Sequence, residues 1–271
     1  MNELVFLKLG GSLLTDKTRP RALRGDVLAR LADEIAGALA GRPGLRLLIG
    51  HGSGSFGHVI ARARGTRDGV TTPAGWRGYA ETASVAAELN RLVVGALWDA
   101  GVPALPVQPS ASARCRAGEL IALDERPLRV ALANGLAPVV YGDVALDDVR
   151  GGVIVSTEEI FRWLAPRLEP DRVVLVGEVA GVLSADPTSG APAGLIEEIT
   201  PARLPALMQV LGGSRGVDVT GGMAAKVTEM LALAQATPAL AAVQIISGLA
   251  PGLVRTVLTD PQARAGTRIT R

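Results

Sequence analysis

The stretch Gly50-His51-Gly52-Ser53-Gly54-Ser55-Phe56-Gly57-His58 decides the fold, because it joins an apolar segment to one that can be helical. The segment before it, residues 45–49, is a run of leucine and isoleucine broken by one arginine, which is typical of a buried strand. A glycine-dense turn between a strand and a helix lets backbone N–H groups approach an anion closely, because no Cβ stands in the way. We therefore predict that residues 50–58, called the glycine loop below, bind a phosphate.

The two histidines of the chain, His51 and His58, both lie in the glycine loop. His51 precedes the turn, and we expect it to serve backbone geometry more than chemistry. His58 stands at the far end, where it is a candidate hydrogen-bond donor to a phosphate. The alternative for His58 is a helix-capping or packing histidine.

The composition limits the classes of protein that the chain can belong to. The 271 residues carry a net charge of +2, and the charges are mixed along the chain, so a nucleic-acid surface is not indicated. The single Cys115 excludes an internal disulfide and suits a reducing compartment. No apolar stretch reaches the roughly 18 residues of a membrane span, and no signal peptide precedes the first strand. We expect a soluble cytoplasmic protein whose partners are small molecules, with no nucleic acid and no membrane.

The lysines are the most informative residues of this composition. Only three of the 28 basic residues are lysines, namely Lys8, Lys17 and Lys226. Lys8 and Lys17 flank the turn at residues 10–12, and Lys226 follows the glycine pair at residues 221–222. Lysine is a compact point charge with rotatable donors, whereas arginine is a planar fork. Lysine kept only beside glycine turns indicates sites that require a point charge; the alternative is chance survival in an arginine-biased composition.

Strands and helices alternate along the chain. Buried strands are predicted at 4–9, 45–49, 102–107 (short or at an edge), 137–141, 172–176 and 243–247. Helices are predicted at 26–40, at 76–100, from 156 to about 168, near 201–211, and for about 15 residues from 222. Asp26 is the predicted N-cap of the first helix, and Leu92 is expected on the apolar side of the second. Ser156 and Glu159 form the predicted capping box of the third. Residues 59–73 are expected to form a loop or a broken helix.

This alternation predicts an α/β fold, with a mostly parallel sheet covered by helices on both faces. No linker separates two halves, so we expect one domain, residues 1–271. Within it we predict two lobes, about 1–170 and about 171–271. Ligands of such sheets bind beyond the carboxyl ends of the strands, where the glycine turns converge.

Two common nucleotide-binding motifs are excluded. Residues 52–57 fit G-x-G-x-x-G, but a dinucleotide site also needs a strand that ends in an acidic residue about 20 positions on, where this chain has Arg77 on a helix. The Walker A pattern is absent. Three glycine turns remain, each beside a lysine or a histidine, which is the combination that phosphoryl transfer between two phosphates requires. Mg²⁺ is expected on the nucleotide, and no dedicated metal site is predicted.

Several motifs resemble the amino-acid kinase superfamily in order and spacing. They are Lys8-Leu9-Gly10-Gly11-Ser12, the glycine loop, Gly142-Asp143, Ser156-Thr157-Glu158, and Val219-Thr220-Gly221-Gly222-Met223 with Lys226. Within the superfamily, Lys17 after K-L-G-G-S and His58 in G-S-F-G-H resemble the isopentenyl phosphate kinase family. Fosfomycin kinases share the histidine, so a fosfomycin-kinase-like phosphotransferase is an alternative. A non-catalytic phosphate-binding regulator on the same fold is another.

The resemblance implies a three-layer αβα sandwich, a homodimer, and transfer of the ATP γ-phosphate to isopentenyl phosphate in an alternative mevalonate route of isoprenoid biosynthesis. It also implies that the N-terminal lobe, about 1–170, binds the phosphate acceptor and that the C-terminal lobe, about 171–271, binds the nucleotide. His58 would bind the acceptor phosphate with backbone N–H groups near Ser53 and Gly54. Lys8 would lie between donor and acceptor, Lys17 would stabilise the transferring group, and Lys226 with Gly222 would hold the ATP phosphates. The other implied residues are Glu158 in catalysis, Thr157 in the acceptor site, and Gly10, Gly11, Ser12, Gly54 and Glu178 in the ATP site.

The chain departs from the superfamily at two places. Glu158 stands where an aspartate of the superfamily usually orients the lysines, and the alternative is that Glu159 shares this role. The usual T-D-V-D-G becomes residues 177–181, in which Ala180 removes a carboxylate near the nucleotide. An isoprenyl tail also needs an apolar slot. Val85, Leu89 and Val93 on the long helix either line that slot or face the ordinary core, and the sequence leaves both open.

Overall fold

The computed structural model describes residues 2–16, 18–184, 193–211 and 222–271. The strands of this part are β1 (Glu3–Leu9), β2 (Leu45–His51), β3 (Ala104–Pro106), β4 (Arg114–Arg116), β5 (Glu119–Ala122), β6 (Ala137–Tyr141), β7 (Asp143–Asp147), β8 (Gly151–Val155), β9 (Arg172–Gly177), β10 (Glu198–Ile199), β11 (Ala242–Ser247) and β12 (Thr267–Ile269). The helices are α1 (Gly11–Leu14), α2 (Gly25–Gly41), α3 (Gly54–Arg64), α4 (Pro73–Asp99), α5 (Arg126–Ala133), α6 (Thr157–Leu168), α7 (Leu204–Leu211), α8 (Gly222–Ala236) and α9 (Leu253–Thr259).

The strands form two sheets. The main sheet has the order β10-β12-β11-β9-β1-β2-β6-β3 and is parallel except where β12 runs antiparallel to β11. A smaller sheet has the order β5-β4-β7-β8. Lys8 of β1 lies in register with Gly50 of β2 and with Leu175 of β9. The carboxyl ends of the three central strands therefore meet at one edge of the sheet, and Gly10 with the start of α1 follows β1 between the ends of β9 and β2.

Helices cover both faces of the main sheet, because side chains of a strand alternate between its faces. Val5, Leu7 and Leu9 of β1 are buried in one apolar cluster with residues of α2, α4 and α9. Leu4 and Phe6 are buried in the other cluster with residues of α5, α6 and α8. The predicted α/β class and the three-layer sandwich are confirmed. The division into lobes near residue 170 stays a prediction, and β9 pairs directly with β1 in one sheet.

Most predicted elements are present, with local corrections. Asp26 is not an N-cap: α2 begins one residue earlier, its N-cap is Arg24, and no side chain caps it. Leu92 is 41% exposed, so its assignment to the apolar side of α4 is wrong. The predicted edge position of the short strand β3 is confirmed. The capping box at the start of α6 is also confirmed, with Ser156 accepting from Glu159 N and Glu159 accepting from Ser156 N.

The segment after the glycine loop is more helical than expected. Residues 59–64 continue α3, and only residues 65–72 form turns before α4. Among the described residues no helix is long and apolar enough to cross a membrane.

Candidate active site

The connection between β2 and α3 is much shorter than the predicted loop. His51 ends β2 and Gly54 begins α3, so only Gly52 and Ser53 join them. Gly54 has φ of +49°, and a Cβ there would lie 2.1 Å from Thr15 Oγ1. A Cβ on Gly11 would lie 2.5 Å from Gly54 N. The two glycine turns therefore pack backbone against backbone, which no other residue type permits.

Thr15 links the segment at Gly11 to the start of α3 through hydrogen bonds. Its hydroxyl donates to Gly11 O at 2.7 Å and accepts from Ser55 N at 2.9 Å. Thr15 is fully buried. The sequence carries no signal for the role of Thr15, because a single threonine after an apolar pair has no distinctive pattern.

His51 has a structural environment. It is fully buried, its Nε2 lies 3.1 Å from Asn90 Oδ1, and its ring stacks on Tyr141 with centroids 5.5 Å apart. Burial lowers the pKa of His51, so the ring is neutral at pH 7. The geometry favours the backbone-supporting role expected for it.

The start of α6 is fixed against the end of β2. Thr157 Oγ1 donates to His51 O at 2.6 Å. A Cβ on Gly50 would lie 2.5 Å from Thr157 Cγ2, so glycine is what lets the helix approach the strand. Two helix N-termini, those of α3 and α6, consequently lie beside Ser53 and Thr157. Such N-termini present free N–H groups and a positive dipole end to an anion.

Lys8 and Glu158 form an ion pair at this place. The Lys8 ammonium donates to Glu158 Oε1, and the two side chains are only 12% and 13% exposed. Burial by itself would raise the pKa of Glu158, but the charge and hydrogen bond of Lys8 and the charge of Lys226 outweigh it and hold that pKa below 4.5. The structure thus brings Lys8, Glu158 and Lys226 together, and Glu158 stays ionised between two lysines.

A cavity of about 450 Å³ opens beside this cluster. At one end it is lined by residues of the glycine turn and of the start of α6, namely Gly52, Ser53, Gly57, Ser156 and Thr157. Its lining also has apolar side chains, namely Ala61, Ala86, Ile154 and Val155, and charged ones, namely Arg67, Asp68, Asp143 and Glu159. A space lined by two helix N-termini and by apolar side chains suits a small alkyl phosphate.

The lining of the cavity decides between the two alternatives for the long helix α4. Val85, Leu89 and Val93 are at most 2% exposed and belong to the core on the α2 side of the sheet. They do not line the cavity, whereas Thr82 and Ala86 of the same helix do. The core alternative is therefore the correct one for the three residues.

The comparisons with known proteins agree with this geometry. A family model described as the amino acid kinase family matches residues 3–244. The chain belongs to the amino acid kinase family. It is 36% identical over 274 residues to an isopentenyl phosphate kinase of Methanothermobacter thermautotrophicus, covering 98% of this chain and 99% of that protein. It is 37% identical over 236 residues to an isopentenyl phosphate kinase of Haloferax volcanii, covering 85% and 88%.

Solved structures of the same family superpose over almost the whole chain. A crystal structure of isopentenyl phosphate kinase gives a TM-score of 0.83 at 33% identity, covering 99% of this chain and all of that one. The product complex of the isopentenyl phosphate kinase of T. acidophilum gives 0.76 at 26% identity, covering 98% and 99%. The superfamily and the subfamily resemblance inferred from the sequence motifs are both confirmed.

In this family member the predicted ATP side of the site lies across β1 from the cavity. Gly10 N donates to Val176 O at 2.8 Å, which places the turn at residues 10–12 against the end of β9. Glu178 follows β9, and its carboxylate accepts from Arg24 at 2.8 Å. Sequence analysis did not foresee Arg24, which is 154 positions away. Gly222 begins α8, and Lys226 lies one turn into that helix.

Some predicted site residues fall outside what the structure describes. Lys17 and the motif residues 218–221 are outside the described residues, and so is the side chain of His58, whose backbone belongs to α3. Of the predicted acceptor residues, Ser53 and Thr157 line the cavity, while Gly54 packs against Thr15 behind it.

Asp143 lines the cavity although it was not among the candidate site residues. It is 1% exposed, accepts from Ser110 N at 3.1 Å and from Val144 N at 2.9 Å, and burial raises its pKa. Its motif with Gly142 was the available signal. In the described part of the chain, no group of three or more histidine, cysteine or acidic side chains is arranged to hold a metal ion.

Proposed function

We propose that this protein transfers the γ-phosphoryl group of ATP to isopentenyl phosphate, giving isopentenyl diphosphate and ADP. The observation that carries the proposal is the cavity beside the ion pair of Lys8 and Glu158: Thr157 at the N-terminus of α6 lines it, and so do apolar side chains such as Ile154 and Val155. Full-length similarity to isopentenyl phosphate kinases supports the choice of acceptor. The family implies ATP as phosphoryl donor.

The chemistry needs charge neutralisation more than a base. The second pKa of a phosphate monoester is about 6, so the acceptor is already ionised at neutral pH. The difficulty is to bring one anion against another. We infer that Lys8 lies between the two phosphates and that Lys226 holds the ATP phosphates. Glu158 keeps both lysines in place through its charge.

The N-termini of α3 and α6 complete the acceptor site in this proposal. Backbone N–H groups near Ser53 and the N–H of Thr157 would hold the acceptor phosphate, with His58 as a further donor. Gly10, Gly11, Ser12, Gly222 and Glu178 would surround the nucleotide. Lys17, which follows the first turn, would stabilise the transferring group.

Mg²⁺ fits the site as a companion of the nucleotide. The carboxylate nearest to the lysines, Glu158, is already paired with Lys8, so the chain does not offer it as a free ligand. Mg²⁺ keeps several waters and binds substrate phosphates readily, and it would neutralise charge on ATP when bound. We expect ATP-dependent turnover to require it. A homodimer and a cytoplasmic location stay predictions.

A substrate panel scored by ADP release tests the proposal. We expect isopentenyl phosphate to be used with a far higher kcat/KM than fosfomycin, UMP, acetylglutamate or glutamate. A higher kcat/KM for fosfomycin would show that fosfomycin, and not isopentenyl phosphate, is the acceptor. Nucleotide binding by the protein without any turnover would indicate a regulator. Lys8→Met is the matched inactive control, because it removes the charge between the phosphates and retains a similar length.

A second test addresses the role of His58. If His58 donates to the acceptor phosphate, His58→Ala should lower kcat/KM by about 10²-fold, the size of one preorganised donor. Turnover close to that of the wild type would instead assign His58 to packing.

A further inference from the structure

A polar cleft of about 220 Å³ adjoins the acceptor cavity. It is lined by Arg67, Arg150, Gly118, Glu119 and Glu159 together with small or apolar residues. Three residues, Arg67, Ile154 and Glu159, line both the cleft and the cavity. The two spaces therefore share a wall, and the cavity leads into the cleft beside Arg67.

Strand β8 shows where the cleft lies relative to the phosphate end. Residues 154–157 line the cavity, whereas Arg150, Val153 and Ile154 line the cleft. Arg150, Val153 and Ile154 lie six, three and two positions before Ser156, so the cleft extends from roughly 7 Å to roughly 20 Å from Ser156 at the rise of an extended strand. A five-carbon tail spans only about 6 Å at roughly 1.3 Å per carbon–carbon bond projected along the chain. An isopentenyl tail would end before the cleft.

Arg150 is held over the cleft by a rigid pair of turns. The buried carboxylate of Asp147 accepts from Gly118 N and Arg150 N, both at 2.7 Å, and from Ala117 N and Val149 N. Gly118 has φ of +93°, and a Cβ there would lie 2.8 Å from Arg150 Nη1. The guanidinium therefore lies directly on the turn, in a place that only glycine leaves free.

Arg150 is the group of the cleft that can bind an anion. Within the residues that the structure describes, no ion pair of its guanidinium is found, whereas Arg67 has a partner of its own. The two carboxylates of the cleft also have other partners: Glu119 pairs with Arg162 at 3.0 Å, and Glu159 accepts from Ser156 N at 2.6 Å. Guanidinium groups match the planar geometry of a carboxylate and bind it through paired hydrogen bonds.

We propose that the acceptor site extends into this cleft and that the protein also phosphorylates phosphate monoesters whose chain ends in a carboxylate. The inference rests on the proposed function, because it uses the same acceptor end and the same donor. A non-bridging oxygen of the acceptor phosphate attacks the γ-phosphorus of ATP, the bond to the β-phosphate oxygen breaks, and ADP leaves with the electron pair. The distal carboxylate is bound and not altered.

The test compares alkyl phosphates that differ only at the far end of the chain. Saturated phosphates of about four, six, eight and ten carbons carry a terminal carboxylate, a hydroxyl or a methyl group, and kcat/KM is measured by ADP release. At six to eight carbons we expect the carboxylate to exceed the methyl and hydroxyl compounds by about three- to tenfold, the size of a partly exposed charge-assisted pair. The advantage should shrink at high salt.

Two variants locate the effect. Arg150→Gln should abolish the ratio of carboxylate to methyl kcat/KM, and the ratio is measured within one preparation, so partial misfolding cancels. Arg116→Gln is the matched control, because Arg116 is an exposed arginine of the neighbouring β4 that does not line the cleft. Equal kcat/KM for the carboxylate and methyl compounds, or a preference that survives Arg150→Gln, overturns the inference. Absence of isopentenyl phosphate turnover in the wild type overturns the proposed function instead.

Discussion

Replacing Glu158 by glutamine tests the centre of the proposed site. The change keeps the shape of the side chain and removes the charge that Lys8 and Lys226 share. Lys8 then stays nearly buried, 12% exposed, without a counter-ion and with a second positive charge nearby. We expect both the stability of the free protein and the rate of phosphoryl transfer to fall.

The size of the effect follows from the burial of the pair. At an effective dielectric constant of about 20 and a separation of about 4 Å, two unit charges attract by roughly 4 kcal/mol before desolvation is counted. Removing one partner of a buried pair costs about 3–5 kcal/mol. Because both side chains keep some solvent contact, we expect a loss near the lower end, about 3 kcal/mol, or roughly 6–12 °C in Tm for a chain of this length. Displaced lysines should lower kcat by about 10²-fold.

Urea titration and initial-rate kinetics measure the two effects. The matched control is Glu159→Gln, because the neighbouring carboxylate caps α6 and a glutamine serves in a capping box equally well. We expect less than about 1 kcal/mol from the control. A Glu158→Gln protein as stable as this control, with kcat within threefold of the wild type, would refute the role of Glu158 as the shared counter-ion.

The pH dependence of the same pair has a defined sign. The pKa of Glu158 is lowered in the folded protein, so its contribution to the unfolding free energy is complete above pH 4.5. The contribution is lost as the pH falls through the lowered pKa. The difference in stability between the wild type and Glu158→Gln should therefore be constant at neutral pH and shrink in acid. A constant difference down to the acid transition would contradict the ion pair.

Three further substitutions test other parts of the structure. Lys226→Met should lower kcat/KM for ATP by about 10²-fold in initial-rate assays, as expected for a lost phosphate contact, and unchanged ATP kinetics would remove Lys226 from the site. The Glu34 carboxylate accepts from Gly252 N at the start of α9 and also binds Arg30. Glu34→Gln should therefore lower the free energy of unfolding by about 2 kcal/mol in urea titration. An unchanged free energy of unfolding would contradict the capping role of Glu34. Gly50→Ala should cost about 1–3 kcal/mol and lower kcat, because the new Cβ meets Thr157; full activity would show that α6 can shift freely.

The sequence predicted well whatever depends on neighbours along the chain. Continuous apolar runs gave the central strands, and the capping box at Ser156 gave the start of α6. The predicted glycine loop is longer than the observed connection. A glycine-rich segment can also form the first turn of a helix, because a neighbouring backbone can pack where the Cβ atoms of other residues would lie. Gly54 shows this, since it begins α3 packed against Thr15.

The candidate site was predictable in composition and not in arrangement. The rarity of lysine singled out Lys8 and Lys226, because an arginine-biased chain keeps lysine where a point charge is required. Their common partner Glu158 was inferred only through family resemblance, because it lies 150 positions from Lys8. The Arg24–Glu178 pair was missed for the same reason. Periodicity along a chain carries no information about which distant charges will meet.

By itself, the sequence of this protein determined the α/β class, the glycine turns at the carboxyl ends of strands, and the set of cations that a phosphoryl-transfer site needs. The tertiary structure decided which of these ends are neighbours, because strand order in a parallel sheet depends on packing across the whole chain. It also decided that α4 presents Thr82 and Ala86 to the cavity and Val85 and Leu89 to the core. One helix position turns a side chain by about 100°, and only the contacts around the helix fix its rotation.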